Sequence, residues 1–212
     1  MITLAIDGFN INDEMGIVLE HFDIGIPEPK IHKVSVPGRN GDLDMTRALT
    51  GFTHFHNRTI NLTLGLTGSE TDREEKRSAL FQITTNKQVK VEFSHLNGYF
   101  LGNITFHSYE RNPAKSTIQA SVDCYPFKIS NEEVSSSIAL SSTPRTIHVL
   151  YLGMPVPILI KTTGNAIIEH KGNRYSVAQG EHKLGIVLEV GNNEFTLSGS
   201  GTLSYQYRME EL

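Results

Sequence analysis

His54 and His56 flank Phe55, so on an extended strand both imidazoles point to one face, a geometry that can hold two ligands of a metal ion. A metal site needs more than two. No carboxylate stands at ligand spacing from the pair, and His21, His32, His95, His107, His148, His170 and His182 are scattered, so no metal is expected and these histidines are assigned to solvent or to an interface. Asp42 and Asp44, within GRNGDLD, have the spacing of an acid–base pair or of two cation ligands, yet the loop lacks the further oxygen ligands at alternating positions that a calcium loop requires. Arg39-Asn40-Gly41 instead suits a tight reversal, with Pro37 and Gly38 ending the strand before it.

Cys124 lies on the apolar face of an alternating segment, where a free cysteine acts as a small hydrophobe rather than a nucleophile. Being the only cysteine, it closes no intrachain disulfide. There is no GxSxG elbow, GxxxxGK phosphate loop, HExxH helix or GxGxxG fingerprint. No catalytic residue, metal ligand or cofactor is therefore expected, and the chain is not read as an enzyme. Three N-x-S/T acceptors, at Asn57, Asn61 and Asn103, are attributed to a chain rich in Asn and Thr. Tyr205 and Tyr207 share one strand face and offer either an aromatic platform for a sugar or packing surface.

The elements that must position these residues are almost all strands. Ile60, Leu62, Leu64 and Leu66 alternate with polar residues or glycine, and the same period of two runs through Val89–Phe93, Ile118–Cys124 and Leu203–Met209. Weaker strands are expected around 15–22, 31–36, 99–108, 145–151, 157–161, 166–170, 184–190 and 194–198. One segment alone reads as a helix, residues 70–84, which Ser69 caps and whose first turns carry Glu70, Asp72, Glu74 and Glu75 against the positive end of the macrodipole. Its apolar surface, Ala79, Leu80, Phe81 and Ile83, falls in the last turns, so that end should pack on a sheet while the charged start faces solvent. After Cys124-Tyr125-Pro126-Phe127 a serine-rich polar stretch, 130–137, precedes a second set of short strands, which places a domain boundary near residue 130.

With 212 residues the chain accommodates two small domains, and 38% hydrophobic with 20% charged residues is a globular composition. A net charge of −4 without a basic run gives no attraction to a phosphate backbone, so specific nucleic-acid binding is not expected. The start, MITLAIDGFNI, has no basic region and is not expected to be a secretory signal. The longest apolar stretch, 149–160, contains Gly153, Pro155 and Pro157 and falls short of the roughly 20 residues a membrane helix needs, so no membrane insertion is expected.

Three groups of residues carry a family resemblance. Pro37-Gly38, Gly41, Leu43-Asp44 and Asn57-Arg58 follow one another in the order and spacing of the N-terminal domain of distal tail (Dit) proteins of long-tailed bacteriophages. Cys124-Tyr125-Pro126-Phe127-Lys128 resembles the aromatic-proline-aromatic segment that closes that domain, and Asn192-Asn193 with the Ser-Gly-Ser-Gly turn and the final strand resembles the family's ending. The resemblance implies an all-β protein with one helix. Residues 1–130 would be a β-sandwich-like ring-forming domain, and residues 131–212 a small C-terminal β-sandwich, galectin-like. It also implies a homo-hexamer at the virion tail tip of a phage or prophage of a Gram-positive host, made in the bacterial cytoplasm. There it joins the tail tube protein to the tail-associated hub protein, with a receptor-binding protein as an optional further partner, and leaves a central channel for DNA. Pro37, Gly38, Gly41, Asp44, Asn57, Arg58 and Pro126 are then the candidate turn and assembly residues. Larger relatives carry carbohydrate-binding insertions or a projecting arm for receptor-binding proteins, for which the roughly 80 residues after 130 leave no room. The alternative the residues leave open is a carbohydrate-binding β-sandwich module recognising a cell-wall glycan; a hydrolase is a third class.

Overall fold

The computed structural model describes residues 2–212, which divide into two compact units, one ending at Lys128 and one spanning Ile129–Glu211. The first is an antiparallel sheet with a helix packed on it. Its strands run in the order Ile17–Ile24, Arg58–Leu66, Ser116–Cys124, Tyr99–Arg111, Val89–Phe93, Leu4–Ile6 and Phe9–Asn10. The register follows the alternation: Ile60 sits opposite Val122, Leu62 opposite Ala120 and Leu64 opposite Ile118. All six of these side chains are buried. Burying an aliphatic side chain of this size stabilises the fold by about 1.5–3 kcal/mol, so this ladder is the main source of cohesion in the unit. Leu4, Ile6, Ile11, Ile17, Leu80, Val91 and Phe93 complete the same core.

Among the described residues there are two helices, against one expected. The added one, α1 (Ile11–Met15), spans five residues. The Asn10 side chain accepts from the backbone N–H groups of Asn12 and Asp13, and Gly16 ends the helix in the left-handed region at φ 61°. One buried residue, Ile11, anchors it, which leaves too short a stretch for helical periodicity to register. The expected helix, α2 (Glu70–Thr84), begins with Ser69 Oγ accepting from the Asp72 N–H at 3.2 Å.

Its last turns pack as the apolar residues require. Leu80 is fully buried and Phe81 stacks on Phe106 at 4.1 Å between ring centroids. The start of α2 departs from expectation, because Arg73 is buried and donates from Nη1 to the Asn112 carbonyl at 2.7 Å. A long side chain there carries its apolar stem over the sheet and finds its acceptor on the turn beyond Arg111.

The second unit is a β-sandwich. One sheet orders Arg145–Tyr151, Gly191–Gly199, Ala166–His170 and Asn173–Val177; another orders Gly180–His182, Leu159–Thr162, Thr202–Glu211 and Lys128–Ala139. Val149, Tyr151, Ile168, Phe195 and Leu197 from the first meet Ile160 and Leu203 from the second in one core. The residual void among them is about 10 Å³, too small for any ligand.

The serine-rich stretch is a strand, Lys128–Ala139, rather than a connection. Most of its side chains are exposed, so it carries no apolar alternation; backbone pairing with the neighbouring strand and contacts such as Ser137 Oγ to Ser204 Oγ at 2.8 Å place it. The sugar-platform candidates Tyr205 and Tyr207 pack against the sandwich core, Tyr207 edge-on to Tyr151 at 5.4 Å. Among the described residues no helix is long and apolar enough to cross a membrane.

Candidate functional site

The chain leaves the first sheet after Ile24 and returns to it at Arg58, and between Glu28 and Asn57 no residue is buried. This excursion is an arm of two strands running side by side. Pro29 bridges Phe55, the Lys30 N–H donates to the His54 carbonyl at 2.7 Å, and Lys33 and Val34 pair with Asp44 and Leu43. Its far end is the loop 35–42. There the Arg39 N–H donates to the Val36 carbonyl at 3.1 Å across Pro37-Gly38, with Gly38 at φ 80°. Proline presets the first central position of such a turn and glycine supplies the positive φ of the second. The reversal therefore spans eight residues, with its hydrogen-bonded turn at Pro37-Gly38 and a second positive φ, 76°, at Gly41.

Asp44 works inside the arm. Its Oδ1 accepts from the Thr46 N–H at 2.9 Å, and the Thr46 contacts hold the carboxyl below its ordinary value. His54 is occupied by Thr50, Nε2 to Oγ1 at 2.9 Å. Among the described residues no three His, Cys, Asp or Glu side chains converge in a way that could hold a metal ion. The arm instead exposes aliphatic surface: Leu49 is 99% and Ile26, at its root, 90% accessible, with Ile31, Val34, Val36 and Met45 also exposed. These aliphatic side chains sit on a segment with no core of its own.

The root of the arm is the opposite in character. Asn57 Nδ2 donates to Asp123 Oδ2 at 3.0 Å, fastening the returning strand to the Ser116–Cys124 strand. Arg58 is buried to 6% exposure, its guanidinium 5.2 Å from the centroid of the Phe100 ring. Burial pulls that guanidinium down from its ordinary pKa. Pro126 and Phe127, which follow the Cys124 paired with Arg58, are buried, and Phe127 meets both Phe55 and Tyr125 edge-on at 5.5 Å. Of the candidate assembly residues, Pro37, Gly38, Gly41 and Asp44 thus lie on the arm, and Asn57, Arg58 and Pro126 at its root. Cys124, opposite Arg58, is fully buried, and desolvation with the Asp123 charge pushes its thiol up to about 12. It is a thiol, not a thiolate, at neutral pH.

A separate feature of the second unit was not legible in the sequence. A cleft of about 630 Å³ is lined by Glu169, His170, Arg174, Asn192 and Glu194, among others. His170 Nδ1 hydrogen-bonds the Glu194 carbonyl at 2.8 Å, so this nitrogen carries the hydrogen; the ring stacks on Phe195, and the buried Nε2 has no partner. The named residues come from the hairpin at 169–174 and the strand start at 192–194, 18 to 25 positions apart, a separation no local spacing reveals.

No protein-family model matches the sequence, and no curated protein matches it. Among solved structures, the Dit (gp 19.1) protein of phage SPP1, described as a paradigm of the hub adsorption apparatus in Gram-positive-infecting phages, superposes with a TM-score of 0.72 over 100% of both chains at 14% identity. Chains of the phage p2 baseplate in its activated conformation, with Sr and with Ca, give TM-scores of 0.46 and 0.44 at 8% identity. An agreement that covers both chains end to end shows that this chain has the fold of the distal tail protein SPP1 Dit.

Proposed function

We propose that this chain is the distal hub of a phage tail, a structural virion protein of a phage or prophage with a Gram-positive host. Six copies close a ring at the tail tip, joining the tail tube protein to the tail-associated hub protein and leaving a channel through which DNA passes. The observation that carries this reading is the end-to-end fold agreement with SPP1 Dit. The exposed arm supports it physically, because a subunit that projects aliphatic side chains on a segment without a core gains by laying them on a neighbour. A head-to-tail contact repeated around an axis closes a ring. The net charge of −4 suits a conduit that passes DNA without holding it.

The role is non-enzymatic: the one thiol is protonated and buried, and hydrolase assays should give blanks. Light scattering and negative-stain imaging of the purified protein test the ring, with a six-fold particle expected at micromolar concentration. A strictly monomeric mass at high concentration, also with tail partners present, overturns the reading.

A second reading, glycan binding by the second unit, is favoured by one observation, the unpartnered His170 Nε2 beside a polar cleft. Nε2 is itself shielded from solvent, so the groups that face a sugar hydroxyl are the exposed Glu169, Arg174, Asn192 and Glu194 of the same cleft. A cell-wall pull-down that His170→Ala weakens supports it, and an unchanged pull-down removes it.

A further inference from the structure

Arg58 is a cation without an anion. Among the described residues no acceptor hydrogen-bonds its guanidinium, the Nε is shielded from solvent without a partner, and the group lies against the Phe100 ring and within reach of the Cys124 thiol. The nearest acidic residue in the ladder, Asp123, stands on the other face of its strand and is held by Asn57. A guanidinium taken out of water normally finds a carboxylate, bidentate where geometry allows. The surroundings have the make-up of an interface centre: Ile26, exposed, continues the strand paired with Arg58's own, and Tyr125, also exposed, follows Cys124, which sits directly opposite Arg58.

The arm offers the missing group. Asp42, in the end loop, is exposed and has no partner among the described residues. Within one chain it makes no ion pair with Arg58, and the register of the arm places the two toward its opposite ends. The pair Lys33–Asp44 lies nine residues beyond the pair Ile24–Ile60, a span of up to about 30 Å at the rise of an extended strand. We infer that Asp42 of one copy enters the Arg58 socket of the next, so that arm and socket form the repeating contact of the assembly. The contact is heterologous, and repeated around an axis it closes a ring. This inference rests on the ring reading above and assigns that ring its charged contact.

Full-length Arg58→Met, Asp42→Asn and the double variant test it by light scattering across a concentration series, with thermal melts of the dilute subunit. Each single variant should raise the concentration at which the ring dissociates at least tenfold, and the double variant should be no worse than the weaker single, because both remove one pair. Asp42→Asn, at an exposed loop, should leave the subunit melt unchanged, and it decides alone if Arg58→Met does not fold. A ring that forms normally in Asp42→Asn, or effects that simply add, overturns the pairing while leaving the ring. A wild-type chain that stays monomeric overturns both.

Discussion

The arm and the strand that follows it are neighbours in sequence and opposites in structure. Between Glu28 and Asn57 nothing is buried, whereas from Arg58 to Leu66 the alternating positions are closed off from solvent. Both carry aliphatic residues. In the strand they recur with period two and meet partners across the Ser116–Cys124 ladder; on the arm Ile31, Val34, Met45 and Leu49 follow no period. Periodicity therefore reports burial within the chain, and aliphatic content without it, as on the arm, reports surface that the chain itself leaves open.

The largest expected effect separates the two regions directly. Leu64→Ala should cost about 3 kcal/mol, as large-to-small changes at fully buried sites do. Leu49→Ala, the same chemical change on the arm, should stay within about 0.5 kcal/mol. Urea unfolding of both variants measures this, and a Leu49→Ala loss near that of Leu64→Ala would show that the arm has a core of its own.

The comparison extends to the second unit through Tyr151. Its hydroxyl donates to the Met154 carbonyl at 2.6 Å and accepts from the Glu210 N–H at 3.3 Å, and burial pushes its pKa up to about 12. Tyr151→Phe leaves both backbone groups short of a partner and should cost about 1–3 kcal/mol. An unchanged melting temperature would mean that water replaces the hydroxyl there.

Sequence made the buried half of the molecule readable. Arg145–Tyr151, Ala166–His170, Val89–Phe93 and α2 have the limits their patterns imply, since burial on one face writes a period into each. Lys128–Ala139 hid because its side chains are exposed and backbone pairing alone places it. α1 hid because five residues with one buried anchor make no pattern. The arm's end was legible as a turn from Pro37, Gly38 and Gly41, but the solitary burial of Arg58 was not, because charge type says nothing about whether a partner stands nearby. The His170 cleft depends on strands that meet only after folding.

Capping gives a smaller effect. Ser69→Ala should destabilise by about 1 kcal/mol, because the Asp72 N–H loses its acceptor while the packing of Leu80 and Phe81 at the far end of α2 stays intact. Loss of the whole helical signal by circular dichroism would show that the cap, rather than that packing, holds α2.

The smallest expected effect is seen in acid and again divides arm from sheet. Burial alone would raise the Asp7 carboxyl, but the Lys87 ammonium at 2.7 Å and the Lys90 N–H at 2.8 Å outweigh it and hold the group below its ordinary 3.8. A carboxyl depressed in the folded state contributes stability that is complete above its unfolded pKa and is lost as pH falls through the folded value. Asp7 should therefore steepen the loss of stability below pH 3.8, and Asp7→Asn should flatten it. Asp44 is also depressed, by Thr46, yet that bond spans two residues of an exposed arm. Asp7 instead ties the turn after Leu4–Ile6 to residues 80 and 83 positions away, at and just before the strand Val89–Phe93. An arm that opens locally takes up its proton without unfolding the sheet. Urea melts from pH 5 to 2 should show the flattening in Asp7→Asn and none in Asp44→Asn, and equal flattening in both would mean that the arm and the sheet unfold as one.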